Sequence, residues 1–175
     1  MVDPESYRGN LLNLLGNQNA IDVLSKTASA LAGIICEHPA SVLRARPFAG
    51  KWTPNEIIGH LVDGEWVYGY RLRLIVCEDC PTVLGTQQDA WVARQRHNER
   101  EPSELVEIFR TLREFNLGVW RRTTAAELER TGLHNERGPE SLAVMLRMMA
   151  GHDLSHLAQI ERYLGTVVPF TPTRL

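Results

Sequence analysis

The chain has 175 residues, enough for one well-buried core and short for two. Its 43% apolar and 23% charged residues suit a globular domain, and no apolar run is long enough to span a bilayer. A net charge of −2, with Lys and Arg scattered along the chain, excludes a basic footprint for nucleic acid or anionic lipid. The opening Met-Val-Asp-Pro-Glu-Ser has neither a basic n-region nor an apolar h-region, so a cytosolic protein is expected.

Four long segments have helical periodicity, and no convincing alternating strand is evident. A short amphipathic stretch with Leu11, Leu12, Leu14 and Leu15 is expected to pack as a separate turn or two. The first long helix is expected from about Asn19 to Cys36, because Ile21, Leu24, Ala28, Leu31 and Ile35 follow the 3-4 spacing of a bundle seam. Pro39 to Arg44 suggests another short helical piece. Thr53-Pro54-Asn55-Glu56 is a capping box with proline at the first helical position, so a second long helix starts there and runs to about Asp79 before Pro81. Cys77-Glu-Asp-Cys80 has the C-x-x-C form, but it closes this helix, where the dipole disfavours a thiolate. With Cys36 the only other cysteine there is no second pair for a zinc ribbon, and helix-end packing is the default reading.

Residues 81 to 101 form a connection longer than an antiparallel hairpin needs, which suits a crossover between parallel helices. The third long helix is expected over Pro102 to Arg122, with Leu105, Ile108, Phe109, Leu112, Phe115 and Val119 facing inward. Thr124-Ala-Ala-Glu127 is a second capping box, opening a short helix that ends at Gly132. The fourth starts after Gly138-Pro139 and ends at about Leu164, with Gly165 as its stop and Leu142, Met145, Met149, His152, His156, Ile160 and Tyr163 as its seam. Residues 1–175 thus read as a single all-α domain, a four-helix bundle with short extra helices.

Three histidines stand out. His152 and His156 are spaced i, i+4 and continue an apolar stripe, so both imidazoles share the core face of one helix. His60 lies on the inward set Ile57, His60, Gly64, Val67 of the second helix. Three unpartnered buried imidazoles would cost roughly 1–3 kcal/mol each, and one metal ion satisfies all of them. Gly64, one turn after His60, reads either as close helix packing or as room beside a metal. A zincin is excluded by the missing glutamate between the paired histidines, and a di-iron bundle by the lack of two Glu-x-x-His motifs. A two-His-one-carboxylate iron site using Asp63 stays open. Asp63 and Asp153 are otherwise expected to orient ligand imidazoles or to face water. Glu56 is expected to be occupied in its cap. His38, His97 and His134 carry no pattern. Trp52, Trp66, Trp91 and Trp120 read as packing residues, and Trp91, in the long connection, has pocket wall as an alternative reading.

The segment Lys51-Trp-Thr-Pro-Asn-Glu-Ile-Ile-Gly-His60-Leu-Val-Asp-Gly-Glu65 resembles the second-helix signature of the DinB-like superfamily, and Leu146-Arg-Met-Met-Ala-Gly-His152-Asp-Leu-Ser-His156-Leu-Ala-Gln-Ile160 resembles its fourth-helix signature. The resemblance implies an up-down-down-up bundle with the long crossover between helices two and three. It also implies a divalent metal ion, zinc or nickel among others, held by His60, His152 and His156, and a homodimer. Related proteins transfer groups to and from low-molecular-weight thiols, and others carry the name metal-dependent hydrolase with no known substrate. Nothing here specifies a thiol cosubstrate.

Three function classes follow. The first is a metal-dependent enzyme, a thiol S-transferase or a hydrolase, acting on an unidentified small molecule. Three neutral imidazoles leave the charge of the ion undiminished and one coordination position open, where a water would fall toward pKa ~7 or a thiol would bind as thiolate. Thiol transfer is favoured at this stage because no carboxylate is evidently placed as a general base. The alternative is a non-catalytic metal-binding or stress-associated interaction protein, and the third is a plain helical dimer with buried histidines.

Overall fold

A computed structural model describes residues 4–167; the remaining ends of the expected 1–175 domain lie outside the described residues. The elements are α1 (Pro4–Leu15), α2 (Ala20–Glu37), α3 (Ala40–Leu43), α4 (Pro54–Cys77), β1 (Thr82–Val83), α5 (Gln88–Arg94), a 3-10 turn (His97–Glu99), α6 (Pro102–Trp120), α7 (Ala125–Leu128), β2 (Thr131–His134), β3 (Gly138–Ser141) and α8 (Leu142–Val167).

Local chemistry explains the helix ends. The Asn19 side chain accepts from the Asp22 amide and starts α2, and Thr53 with Glu56 forms the expected reciprocal box at α4. Ser141 accepts from the Val144 amide at the start of α8, two residues later than expected, and Glu140 and Ser141 belong instead to the strand Gly138–Ser141, which pairs with Thr131–His134. Gly165 does not stop α8, which continues to Val167. No described helix is long and apolar enough to cross a membrane.

The bundle is formed by α2, α4, α6 and α8. Its topology follows from which residues meet. Near its start α4 reaches the chain just before α6, where Asn55 donates to the carbonyls of His97 and Arg100. Further along, Glu65 meets Arg113 and Arg73 meets Asn116, so α4 and α6 run parallel. Leu24 of α2 meets Arg113, while Leu31 shares the other core half with Leu105 and Phe109, so α2 is antiparallel to α6. The early residues Leu142 and Met145 of α8 pack with the first half of α2, and Ile160 and Tyr163 with its second half. The order is therefore up, down, down, up, with the connection 78–101 as the crossover. The core has two lobes, one around Leu24, Leu72, Leu117 and Met149, the other around Leu31, Ile58, Phe109 and Ile160.

Three further expectations need correction. First, three short strands form a sheet, with β1 parallel to β2 and β2 antiparallel to β3. Strands this short carry no alternation signal. The sheet packs on the end of α4, where a Cβ at Gly132 would meet Ile75 at 2.8 Å. Second, the buried face of α6 turns away from the apolar count. Phe115 is 65% exposed and carries the Arg73 guanidinium on its ring, whereas Arg113 and Asn116 are buried. Charges on the facing helices place them there: Arg113 bonds Glu65 and Asp153, and Asn116 bonds Glu65. Third, Cys36, Cys77 and Cys80 are free and exposed, so the C-x-x-C pair is not packed at the helix end as expected.

Candidate functional site

The three histidines converge. Nε2 of His152 lies 3.0 Å from Nε2 of His60 and 3.1 Å from Nε2 of His156. One donor nitrogen from each ring falls within 4.8 Å of the others, a spacing that one cation can span. His60 comes from the second turn of α4, and His152 and His156 from one face of α8. Burial, then His156 and His97, lower the His60 pKa to about 3. Burial also lowers His152, with His156 next, and lowers His156. All three rings are thus held neutral, the form that donates a lone pair to a metal.

The surroundings fix these rings. The Trp52 ring lies 4.9 Å from His60 and 6.4 Å from His156, covering the cluster on one side. Nδ1 of His156 pairs with Gln159 Oε1 at 2.9 Å, and the Gln159 amide donates to the Tyr163 hydroxyl at 3.0 Å. This is the outer partner that a ligand imidazole ordinarily has, supplied by an amide rather than by the aspartates. Asp153 points away from the imidazoles. Its Oδ2 accepts from Thr27 Oγ1 and from Arg113, both at 2.6 Å, and so ties α8 to α2 and α6. Burial works against the Arg113 charge, yet Asp153 and Glu65 hold its pKa above the ordinary value.

A cavity of about 80 Å³ opens on the other side, onto His60 and His152. Asp63, Gly64 and Arg71 of α4, Tyr7 of α1, Trp91 of α5 and Arg137 after β2 are among its walls. Trp91 therefore lines the pocket, as its place in the crossover suggested. Gly64 provides room rather than close packing: a Cβ there would find nothing nearer than His152 Cε1 at 4.0 Å. Glu56 is held in its cap by the Thr53 amide and by Arg46.

Asp63 lies in the cavity wall, 7% exposed, outside the set of convergent donors. Its carboxylate accepts from the Gln95 amide at 3.0 Å and pairs with His97 Nε2 at 2.9 Å. It orients no ligand imidazole; instead, the crossover orients it. His97, which had no sequence pattern, is 1% exposed and presses on Gly59, where a Cβ would come within 2.3 Å of its Cγ. The usable signal was that helix-interior glycine one residue before His60. His134 is buried too, with Nδ1 accepting from the Glu136 amide. His38 only closes α2 through its backbone.

Comparison with known proteins agrees with this architecture. The solved structure of YfiT from Bacillus subtilis, described as a "probable metal-dependent hydrolase with an unusual four-helix bundle topology", superposes with a TM-score of 0.73 at 21% identity, covering 83% of this chain and 86% of that one. Two similar proteins, both named "Putative metal-dependent hydrolase", come from Oceanobacillus iheyensis (25% identical over 112 residues) and Bacillus cereus (26% over 111). The matches cover 64% and 63% of this chain, and the chain spans 64% of the length of each relative. The DinB superfamily family model matches residues 23–160, reaching into all four bundle helices and including the crossover. The chain belongs to the DinB superfamily.

Proposed function

We propose that the protein is a metal-dependent hydrolase of a small molecule, with a divalent ion held by His60, His152 and His156. The observation that supports it is the approach of three neutral imidazole nitrogens from two helices at the edge of a cavity that also contains a buried carboxylate. The donor set suits zinc or nickel, both of which accept imidazole nitrogen. When bound, such an ion supplies a Lewis acid that activates a water or a thiol and polarises a substrate oxygen.

The residues of the chain do the rest. Trp52 shields one side of the cluster from solvent and leaves the cavity as the approach. Asp63, held by Gln95 and His97, accepts the proton of an attacking water at a carboxylate oxygen. Thiol transfer was preferred from sequence because no such base was evident; Asp63 removes that ground and moves the preference to hydrolysis. A homodimer, as the family resemblance implies, is part of the proposal, and light scattering tests it.

Untagged protein loaded with zinc or nickel should hold about one ion per chain by elemental analysis, and His152→Ala should lose it while keeping its helical circular dichroism. In a panel of small esters, amides and phosphoesters, Asp63→Asn should keep the ion and lower kcat by about 10²–10⁴. Absence of stoichiometric metal, or turnover unchanged in Asp63→Asn, would overturn the proposal. Conversion of an electrophile that occurs only when a small thiol is added would replace hydrolysis by S-transfer.

A further inference from the structure

The cavity has a second chemical feature, remote from the imidazoles. Arg71 lies eleven residues after His60, on the same face of α4 as Gly64 and Val67, and lines the cavity while only 6% exposed. Its Nη2 donates to the Leu84 carbonyl, and its guanidinium carbon lies 5.3 Å from the Tyr68 ring centroid.

Two neighbouring arginines, the buried Arg113 and the half-buried Arg137, are matched by carboxylates. Arg113 meets Glu65 and Asp153, and Arg137 meets both oxygens of Glu140 at 2.7 Å. Arg71 has no ion-pair partner among the described residues. Glu136 and Glu140 favour its charge only from a distance. A guanidinium withdrawn from water with one carbonyl and one ring as compensation is costly, and arginine does not escape by losing its proton. Tyr7 and Tyr68 line the same cavity, and burial raises the pKa of both, so each keeps a hydroxyl proton to donate.

We infer that Arg71 is the receptor for an anionic group of the substrate, a carboxylate or a phosphate, with the hydroxyls of Tyr68 and Tyr7 as supplementary donors. A planar guanidinium suits either oxyanion through two parallel bonds. The assignment of this anion to a substrate rests on the hydrolase reading above; the anion site itself does not. His60 and Arg71 lie about three helical turns apart on one face of α4, so the anionic end of the substrate and its scissile bond occupy different parts of the cavity. A cavity of about 80 Å³ is the size of a small acidic group and does not admit a folded partner.

The test uses metal-depleted wild-type protein, so that no anion can bind through the ion. Inorganic phosphate and propionate are titrated separately by calorimetry at constant ionic strength, with chloride as the reference. One of the two should saturate a single site, and which one does so separates a phosphate from a carboxylate substrate. Arg71→Gln should weaken that binding about tenfold or more, the scale of a lost charge-assisted bond, while its zinc or nickel stoichiometry stays at the wild-type value. Tyr68→Phe should weaken binding by a smaller factor. If neither anion saturates the wild-type protein, or Arg71→Gln binds as tightly as wild type, the inference is overturned. The wild-type titration alone decides should Arg71→Gln fail to fold. Anion binding in a protein that never loads metal would overturn the hydrolase proposal and leave the anion site standing.

Discussion

Arg113→Met is the most direct test of how the site is held. Arg113, Glu65 and Asp153 are each 2–3% exposed at their side chains, and the guanidinium spans both carboxylates with bonds of 2.8 and 2.6 Å. Removing it leaves two buried negative charges, each with one side-chain donor: Thr27 on Asp153 and Asn116 on Glu65. Breaking a buried ion pair by removing one partner typically costs about 3–5 kcal/mol, against a total domain stability of about 5–15 kcal/mol. With a urea slope near 2 kcal/mol/M, the unfolding midpoint should fall by about 2 M. Methionine fills much of the vacated volume, so the loss reports charge rather than a cavity. Replacing all three residues together (Arg113→Met, Glu65→Gln, Asp153→Asn) should recover most of the loss, because no uncompensated charge remains while Thr27 and Asn116 keep acceptors. A single-variant loss under about 1 kcal/mol, or a triple variant less stable than the single one, would refute the reasoning.

Helix glycines give a paired prediction. Gly151→Ala puts a Cβ 2.1 Å from the Leu11 carbonyl oxygen, so it should destabilise the fold by about 1–3 kcal/mol by forcing α1 off α8; Gly64→Ala meets only His152 Cε1 at 4.0 Å, an ordinary contact, and should stabilise by up to about 1 kcal/mol, both read from urea unfolding. Saturating zinc at about 100 times its dissociation constant should raise stability by about 2.7 kcal/mol and chelator should reverse it; a melting temperature indifferent to zinc contradicts the tri-histidine site. Burial, then Arg137 and Arg71, lower the His134 pKa to about 4 from 6.5. The unfolded chain therefore binds the proton first, and the His134 contribution is complete above pH 6.5 and is lost as pH falls toward 4. His134→Asn, whose amide oxygen can replace Nδ1 as acceptor for the Glu136 amide, should flatten that stretch of the stability–pH curve; an unchanged slope would show that other groups carry it.

The bundle was legible because its helices carry their own boundaries. Thr53-Pro-Asn-Glu56 fixes the start of α4 through two local bonds that need no tertiary context. The seam of α8 reads directly as Leu142, Met145, Met149, His152 and Ile160, all buried. The α6 face failed for the opposite reason. An apolar count cannot know that Glu65 and Asp153 on neighbouring helices need a cation between them, so it places Phe115 on the inward face and leaves Arg113 and Asn116 off it. The sheet failed because a two-residue β1 exists only by pairing with β2, some fifty residues later.

At the site, the division falls between groups that share a helix and groups brought together by the fold. His152 and His156 declare themselves by spacing, and His60 by its place on an inward face. Asp63 was visible as a residue but not as a role, since its partners Gln95 and His97 come from the crossover and no local spacing links them. Arg71 is legible only once the cavity exists, because what marks it is the carboxylate it lacks. The glycines are the one sequence feature that crosses this divide. Each helix-interior glycine forgoes about 1 kcal/mol of helix propensity relative to alanine. Gly59 admits the His97 ring and Gly151 the Leu11 carbonyl, at distances no Cβ tolerates. Both precede a convergent histidine by one residue. The chain thus gives up helix propensity beside the imidazoles to let the crossover and α1 reach them, and those two segments deliver His97 and Tyr7 to the site.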